Sequence, residues 1–245
     1  MATRLSCVVV DAADPAELAV WWSETLGWSV SPDDQLLLLP PHRDVPALLF
    51  EPVDDPKVTK NRVHLDLGSR SAADQAQLVA RLEERGARPV DVGQRDVPWV
   101  VLADPEGNEL CVLEPRPEYA GGCAGRLAAI VVDAQRPELL APFWVAASGW
   151  VPVAGLTDSG GARLAGPAGG PPYLELVAVT TAKVTKNRVH LDVAPRAGAA
   201  RDEEVRRLLT LGARPAEVGQ LPDVPWVVLA DPESNELCVV PDEPA

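Results

Sequence analysis

Apolar and polar positions alternate in blocks that predict short strands separated by amphipathic helices. Leu5 to Asp11 is rich in valine and reads as a strand. Asp14-Pro15-x-Glu17 supplies a helix cap, a proline at the first helical position and an acid three residues after the cap. That helix runs to Leu26, where Gly27 permits the left-handed stop. Three short strand candidates follow near 28–30, 35–39 and 46–52, divided by Pro/Asp turns. The order then restarts: a strand over Asn61–Leu67, a helix over Ser71–Arg85 with Gly86 as its stop, and strands near 88–92, 97–103 and 109–114. The unit is βαβββ, met twice within the first half of the chain.

Strand parity sorts side chains by face. In 61–67, Val63, Leu65 and Leu67 share one face, which should meet the helices; Arg62, His64 and Asp66 share the other. A sheet with that second face inward forms a polar-lined cup. Val189 and Leu191 against Arg188, His190 and Asp192 repeat the arrangement.

The repetition is literal. KVTKNRVHLD stands at 57–66 and again at 183–192, and DVPWVVLADPE at 96–106 and 223–233. Related strands follow, GNELCVL at 107–113 and SNELCVV at 234–240. Each repeat has the size of a domain rather than of a solenoid unit. The chain therefore divides into a first copy at 1–117, a linker at 118–125 within the Pro/Gly-rich PRPEYAGGCAG, and a second copy at 126–245. The fold class is α+β: two tandem domains, each of two βαβββ modules with a curved, mostly antiparallel sheet. The pattern leaves open whether cups form within one copy or between copies.

Composition narrows the partners. The 245 residues carry a net charge of −14, which disfavours nucleic acid because phosphates must be met by basic groups. No apolar run approaches the roughly 18 residues of a spanning helix, and the first residues do not resemble a signal peptide. Four scattered cysteines form no CxxC pair, so they read as reduced and the protein as cytoplasmic. P-loop, GxGxxG, HExxH and GxSxG signatures are absent from the sequence. The expected partner is a small molecule, with the chain a monomer whose domains pair like a dimer, or a homodimer.

Three residue classes carry candidate chemistry. All four lysines, Lys57, Lys60, Lys183 and Lys186, fall in the repeated motif, whereas arginine serves elsewhere. They suit either a rim for an anion or a set of surface salt bridges. Of seven tryptophans, Trp21, Trp22 and Trp144 sit on helices and read as core. Trp99 and Trp226, in identical strand contexts, suit stacking on a flat ligand. His42 has no counterpart in the second copy and reads as a loop residue, and the DPEGNE turn as structural.

The paired βαβββ unit, Trp22 with Leu26-Gly27-Trp28 at a helix end, the HLD strand and the DPEGNE turn together resemble the vicinal oxygen chelate superfamily. Within it, the chain is most similar to tandem members of the glyoxalase/bleomycin resistance/dioxygenase group. The resemblance implies a metal site with a His or Gln from the first strand, a His from the mid-domain strand and a Glu from the last. Carried onto this sequence, those positions hold Cys7, His64 and Cys111 in the first copy and Ala129, His190 and Cys238 in the second. The family set is thus broken in both copies. The leading expectation is a metal-independent small-molecule binding protein that sequesters a drug or metabolite, with no cofactor. Its ligand-contacting residues would be Arg62, His64, Asp66, Trp99, Arg188, His190, Asp192 and Trp226. The alternative is a lyase, isomerase or oxygenase with one active copy, holding a divalent ion such as zinc through Cys7, His64 and Cys111.

Overall fold

The computed structural model describes residues 3–153, 160–196, 198–220 and 223–241. The expected βαβββ unit occurs four times. The first comprises β1 (Thr3–Ala12), α1 (Pro15–Leu26), β2 (Ser29–Val30), β3 (Leu37–Leu39) and β4 (Ala47–Pro52). The second comprises β5 (Val63–Leu67), α2 (Ala72–Glu84), β6 (Arg88–Pro89), β7 (Val100–Ala103) and β8 (Glu109–Val112). The third has β9 (Leu127–Ala134), α3 (Pro137–Ser148), β10 (Val151–Pro152), β11 (Gly161–Ala165) and β12 (Tyr173–Ala178). The fourth has β13 (Val189–Pro195), α4 (Arg201–Thr210), β14 (Arg214–Pro215), β15 (Val227–Ala230) and β16 (Glu236–Val239).

Modules pair across the copies, which answers the question the repeat left open. One eight-stranded sheet, the terminal sheet, has the order β14-β15-β16-β13-β1-β4-β3-β2. The other, the central sheet, has the order β10-β11-β12-β9-β5-β8-β7-β6. Antiparallel β1–β13 and β5–β9 pairs join the halves, with Val8 opposite Leu191 and Leu65 opposite Ile130. Among the described residues, only β1–β4 and β13–β16 in the terminal sheet, and β9–β12 and β5–β8 in the central one, run parallel.

The chain forms these elements for local reasons. Asp14 caps α1 by accepting from the Glu17 amide, and Gly27 closes it at φ 71°. Ser71 caps α2 by accepting from the Asp74 amide. Parity holds as read: Val63, Leu65, Leu67, Val189 and Leu191 join one core with Trp21, Trp22 and Trp144 beneath the helices. Burial of such aliphatic side chains stabilises by about 2 kcal/mol each.

The repeated turns are structural, as expected, and they also brace the modules. Asp104 Oδ1 accepts from the Glu106 and Asn108 amides, and its Oδ2 from Trp22 Nε1 at 3.1 Å. Glu106 reaches back to the amides of Ala13 and Asp14, at 2.8 and 2.7 Å. Gly107 takes φ 89° there, and Ser234 holds the same turn at φ 72°. A side chain in that region costs about 1 kcal/mol. His42 lies in the loop between β3 and β4, with 45% of its side chain exposed.

Candidate functional site

The core-averted faces of the two sheets carry the polar residues. In the central sheet, β5 presents His64 and Asp66, and β8 places Cys111 beside Asp66 in register. Strand β9 supplies Val131 and Ala129 opposite them, and β11 and β12 add Arg163 and Glu175. All of these but Ala129 line a cavity of about 420 Å3 that Trp99, Val101, Leu113 and Val177 also wall. Such a cavity is within the size range of small-ligand sites. A small apolar cluster of Val101, Cys111, Leu113 and Ala128, with Trp99 and Tyr119 packed on it, forms its side.

The floor of this central cup is unsatisfied. His64 Nε2 lies 3.3 Å from Asp66 Oδ1, with little exposure of either side chain. Yet Asp66 Oδ1 and the other ring nitrogen, His64 Nδ1, are buried without a hydrogen-bond partner. Buried polar atoms are nearly always paired, so two orphans at one cavity floor mark a place built to meet something else. Burial, reinforced by Asp66, pushes the Cys111 thiol well above its ordinary pKa.

One wall is a closed polar network. Glu175 Oε1 accepts from Tyr119 Oη and from Arg163 Nε, each at 2.8 Å, while Arg163 Nη2 donates to Tyr119 Oη at 2.9 Å. The Arg163 guanidinium also lies over the rings of Tyr119 and Tyr173, 5.2 and 5.0 Å from their centroids. Burial raises the pKa of Glu175 despite Arg163, and burial followed by Glu175 raises that of Tyr119. Tyr119 comes from the 3-10 turn Pro117–Tyr119, so the stretch between the copies delivers a cup residue. Nearby, the Arg116 guanidinium sits 5.8 Å from the Trp99 ring centroid.

The terminal sheet repeats the floor but not the wall. His190 and Asp192 on β13 meet Cys238 on β16, with Nε2 to Oδ1 at 3.6 Å and Asp192 Oδ1 again unpartnered. Here Cys7 of β1 stands opposite Asp192, and β4 brings Glu51. Burial, then Lys186, pulls His190 down to about 4. Burial, with Glu51 adding to it, pushes Asp192 up to about 7. The Cys7 thiol is held well above its usual range by burial and Asp192.

This geometry corrects the expected Cys7–His64–Cys111 set. Cys7 belongs to the terminal sheet, whereas His64 and Cys111 belong to the central one. The physical reason is the cross-copy pairing of modules, which faces β5 with β9 and leaves Ala129 at that position. Asp66, not Cys7, completes the donor group: one donor atom each from His64, Asp66 and Cys111 lie within 4.8 Å of one another, as do those of His190, Asp192 and Cys238. Nitrogen, oxygen and sulfur donors at this spacing, with two atoms otherwise unpartnered, fit a borderline-soft divalent ion such as zinc.

The other expected ligand residues divide. Trp99 lines the central cavity with His64 and Asp66. Trp226 precedes β15 and is half-buried. Arg62 and Arg188 lie away from the cups, at the junction of the halves. Arg62 donates to the carbonyls of Thr181 and Asp133, and Arg188 to the Asp55 carbonyl and Glu106. Glu175, Arg163, Tyr119 and Glu51 were not foreseen. Glu175 and Arg163 could have been found as charges at inward positions of otherwise apolar strands; Tyr119, in an irregular segment, carried no such signal.

Relatives agree with this architecture. The glyoxalase-like domain family matches at residues 7–113 and 129–240, and the chain belongs to that family. Glyoxalase I from Zea mays superposes with a TM-score of 0.67 and 16% identity over 98% of this chain and 92% of that one. A putative dioxygenase from Bacillus subtilis superposes at 0.62 with 15% identity, covering 99% and 86%. At these identities the likeness is one of fold. Among curated proteins there is no match.

Proposed function

We propose that the central cup binds a small organic molecule and that the chain is a binding protein of the glyoxalase/bleomycin-resistance type, acting without a metal ion. The observation that carries this reading is the pair of orphaned atoms, His64 Nδ1 and Asp66 Oδ1, under an apolar and aromatic wall. A ligand with one hydrogen-bonding end and one flat apolar end satisfies both. Trp99 offers a stacking face, and the Tyr119–Arg163–Glu175 network fixes the polar part of the lining. A thermal-shift screen of small molecules against the full chain, repeated with His64→Ala, tests it. Hits should persist in EDTA and vanish in the variant; hits lost in EDTA and restored by zinc would overturn metal independence.

The compact donor group favours a second reading, a metal-dependent lyase, isomerase or oxygenase. His64, Asp66 and Cys111 would hold the ion, whose chemistry is Lewis-acid activation of a bound oxygen. Glu175, with its raised pKa, would then be placed to hold a proton at the cup wall. About one equivalent of zinc in protein purified without chelator, lost in Asp66→Asn, would favour this reading.

Internal pairing of the halves supports a monomer, so light scattering should report a mass near 26.1 kDa. Among the described residues, no helix is long and apolar enough to cross a membrane.

A further inference from the structure

A ligand in the central cup leaves the terminal cup without a role. The terminal floor offers one ring nitrogen, one carboxylate and one thiol, from His190, Asp192 and Cys238, with a donor atom of each within 4.8 Å of the others. Neighbouring strands β13 and β16 hold Asp192 and Cys238 in register on the core-averted face. Asp192 is only 8% exposed, and its Oδ1 has no hydrogen-bond partner. The resemblance to the vicinal oxygen chelate superfamily places no ligand at the Asp192 position.

Charge separates the two cups. Glu51 of β4 lies close enough for its charge to act on Asp192, Cys7 and Cys238. Among the described residues, neither Asp192 nor Glu51 forms an ion pair with a lysine or arginine; Lys186 is bonded to Asp11, and Lys183 to Glu236. The central cup has one such carboxylate, Asp66, because Glu175 there is bonded to Arg163 and Glu109 to Lys57. Val177 stands in the central sheet where Glu51 stands in the terminal one. Buried charges are either paired or bound to a metal ion. Two carboxylates without a cation, beside a nitrogen and a sulfur donor, match one divalent ion in both charge and ligand type.

We propose that the terminal cup holds one divalent ion of the zinc class through His190, Asp192 and Cys238, with Glu51 balancing its charge. Binding expels the Cys238 proton to solvent. The proposal is independent of what the central cup binds.

Cobalt(II) titrated into the full chain, stripped with chelator and kept reduced, tests it, because a cobalt–thiolate bond absorbs in the near ultraviolet. The absorption should saturate at one equivalent. Cys238→Ser should abolish it, Asp192→Asn should weaken binding about a hundredfold, and Glu51→Gln about tenfold. Cys111→Ser and Asp66→Asn should bind as the parent does. Asparagine and glutamine keep the shapes of the acids they replace, and melting curves of the stripped variants separate lost ligation from lost folding. No absorption from the parent, saturation at two equivalents, or undiminished affinity in Asp192→Asn would each overturn the proposal. Loss in Cys111→Ser with retention in Cys238→Ser would also overturn it, and would put the ion in the central cup, as the metal-dependent reading of that cup requires.

Discussion

The central and terminal cups share a floor and differ in their walls. His-x-Asp on one strand and Cys on the next recur in both, because the HLD and NELC segments are common to both copies. The parts of the walls that differ come from the opposite copy, where the sequences have diverged. Glu175 and Arg163 pair across β12 and β11 in the central cup; Leu49 and Leu37 pair at the matching place on β4 and β3. Conversely, Cys7 and Glu51 occur where the central cup has Ala129 and Val177. Cross-copy pairing thus lets one chain hold one floor under two environments. In the terminal cup burial raises the pKa of Asp192 and Glu51; in the central cup it raises that of Glu175, which Arg163 fixes beside aromatic rings.

Converting one cup into the other gives the largest expected effect. Glu175→Leu copies Leu49 and leaves the Arg163 charge without its partner, so unfolding in denaturant should show a loss of about 4 kcal/mol. Any ligand of the central cup should go with it.

The terminal cup predicts an effect of opposite sign. Asp192, raised to about 7 in the fold, is easier to ionise once unfolded, so its burial destabilises increasingly as pH climbs from about 4 to 7. In chelator-treated protein, Asp192→Asn should therefore stabilise by ~3 kcal/mol at pH 8 and change little below pH 4. His190, depressed to about 4, works the other way: its contribution fades as pH falls from about 6.5 to 4. A denaturation series over pH for the parent, D192N and H190Q separates the two.

Smaller effects refine the contrast. Tyr119→Phe removes one bond to Glu175 and should cost about 1 kcal/mol, with up to roughly tenfold weaker ligand binding in the central cup alone. Ser234→Gly relieves a left-handed serine and should raise stability by about 1 kcal/mol; Gly107→Ser should lower it as much. Melting curves of both variants check the pair.

These contrasts show why the fold was more legible than the site. The cap at Asp14, the stop at Gly27 and the parity of Val63, Leu65 and Leu67 are local signals, and each folded as read. His64 and Asp66 were also readable, since alternation alone sets them on the core-averted face. The partner of His64 was not, because a repeat cannot reveal which copy of β1 faces β5. Assigning Cys7 to His64 assumed pairing within a copy. Arg62 was read as a ligand residue on parity, but it lies just before β5, where its long side chain turns to the carbonyls of Thr181 and Asp133.

Pairing Val8 with Leu191 also bears on how the chain is made. Strand β1 leaves the ribosome three modules before its neighbour β13. Until then β1 exposes an edge of unpaired amides rich in valine, the kind of edge that invites association between chains. Contacts so distant in sequence slow folding, since a long loop must close before they form. The central sheet, whose β5 and β9 are separated by one module, can close first and template the terminal sheet. A nascent chain halted after the first copy should therefore pair with a second such chain.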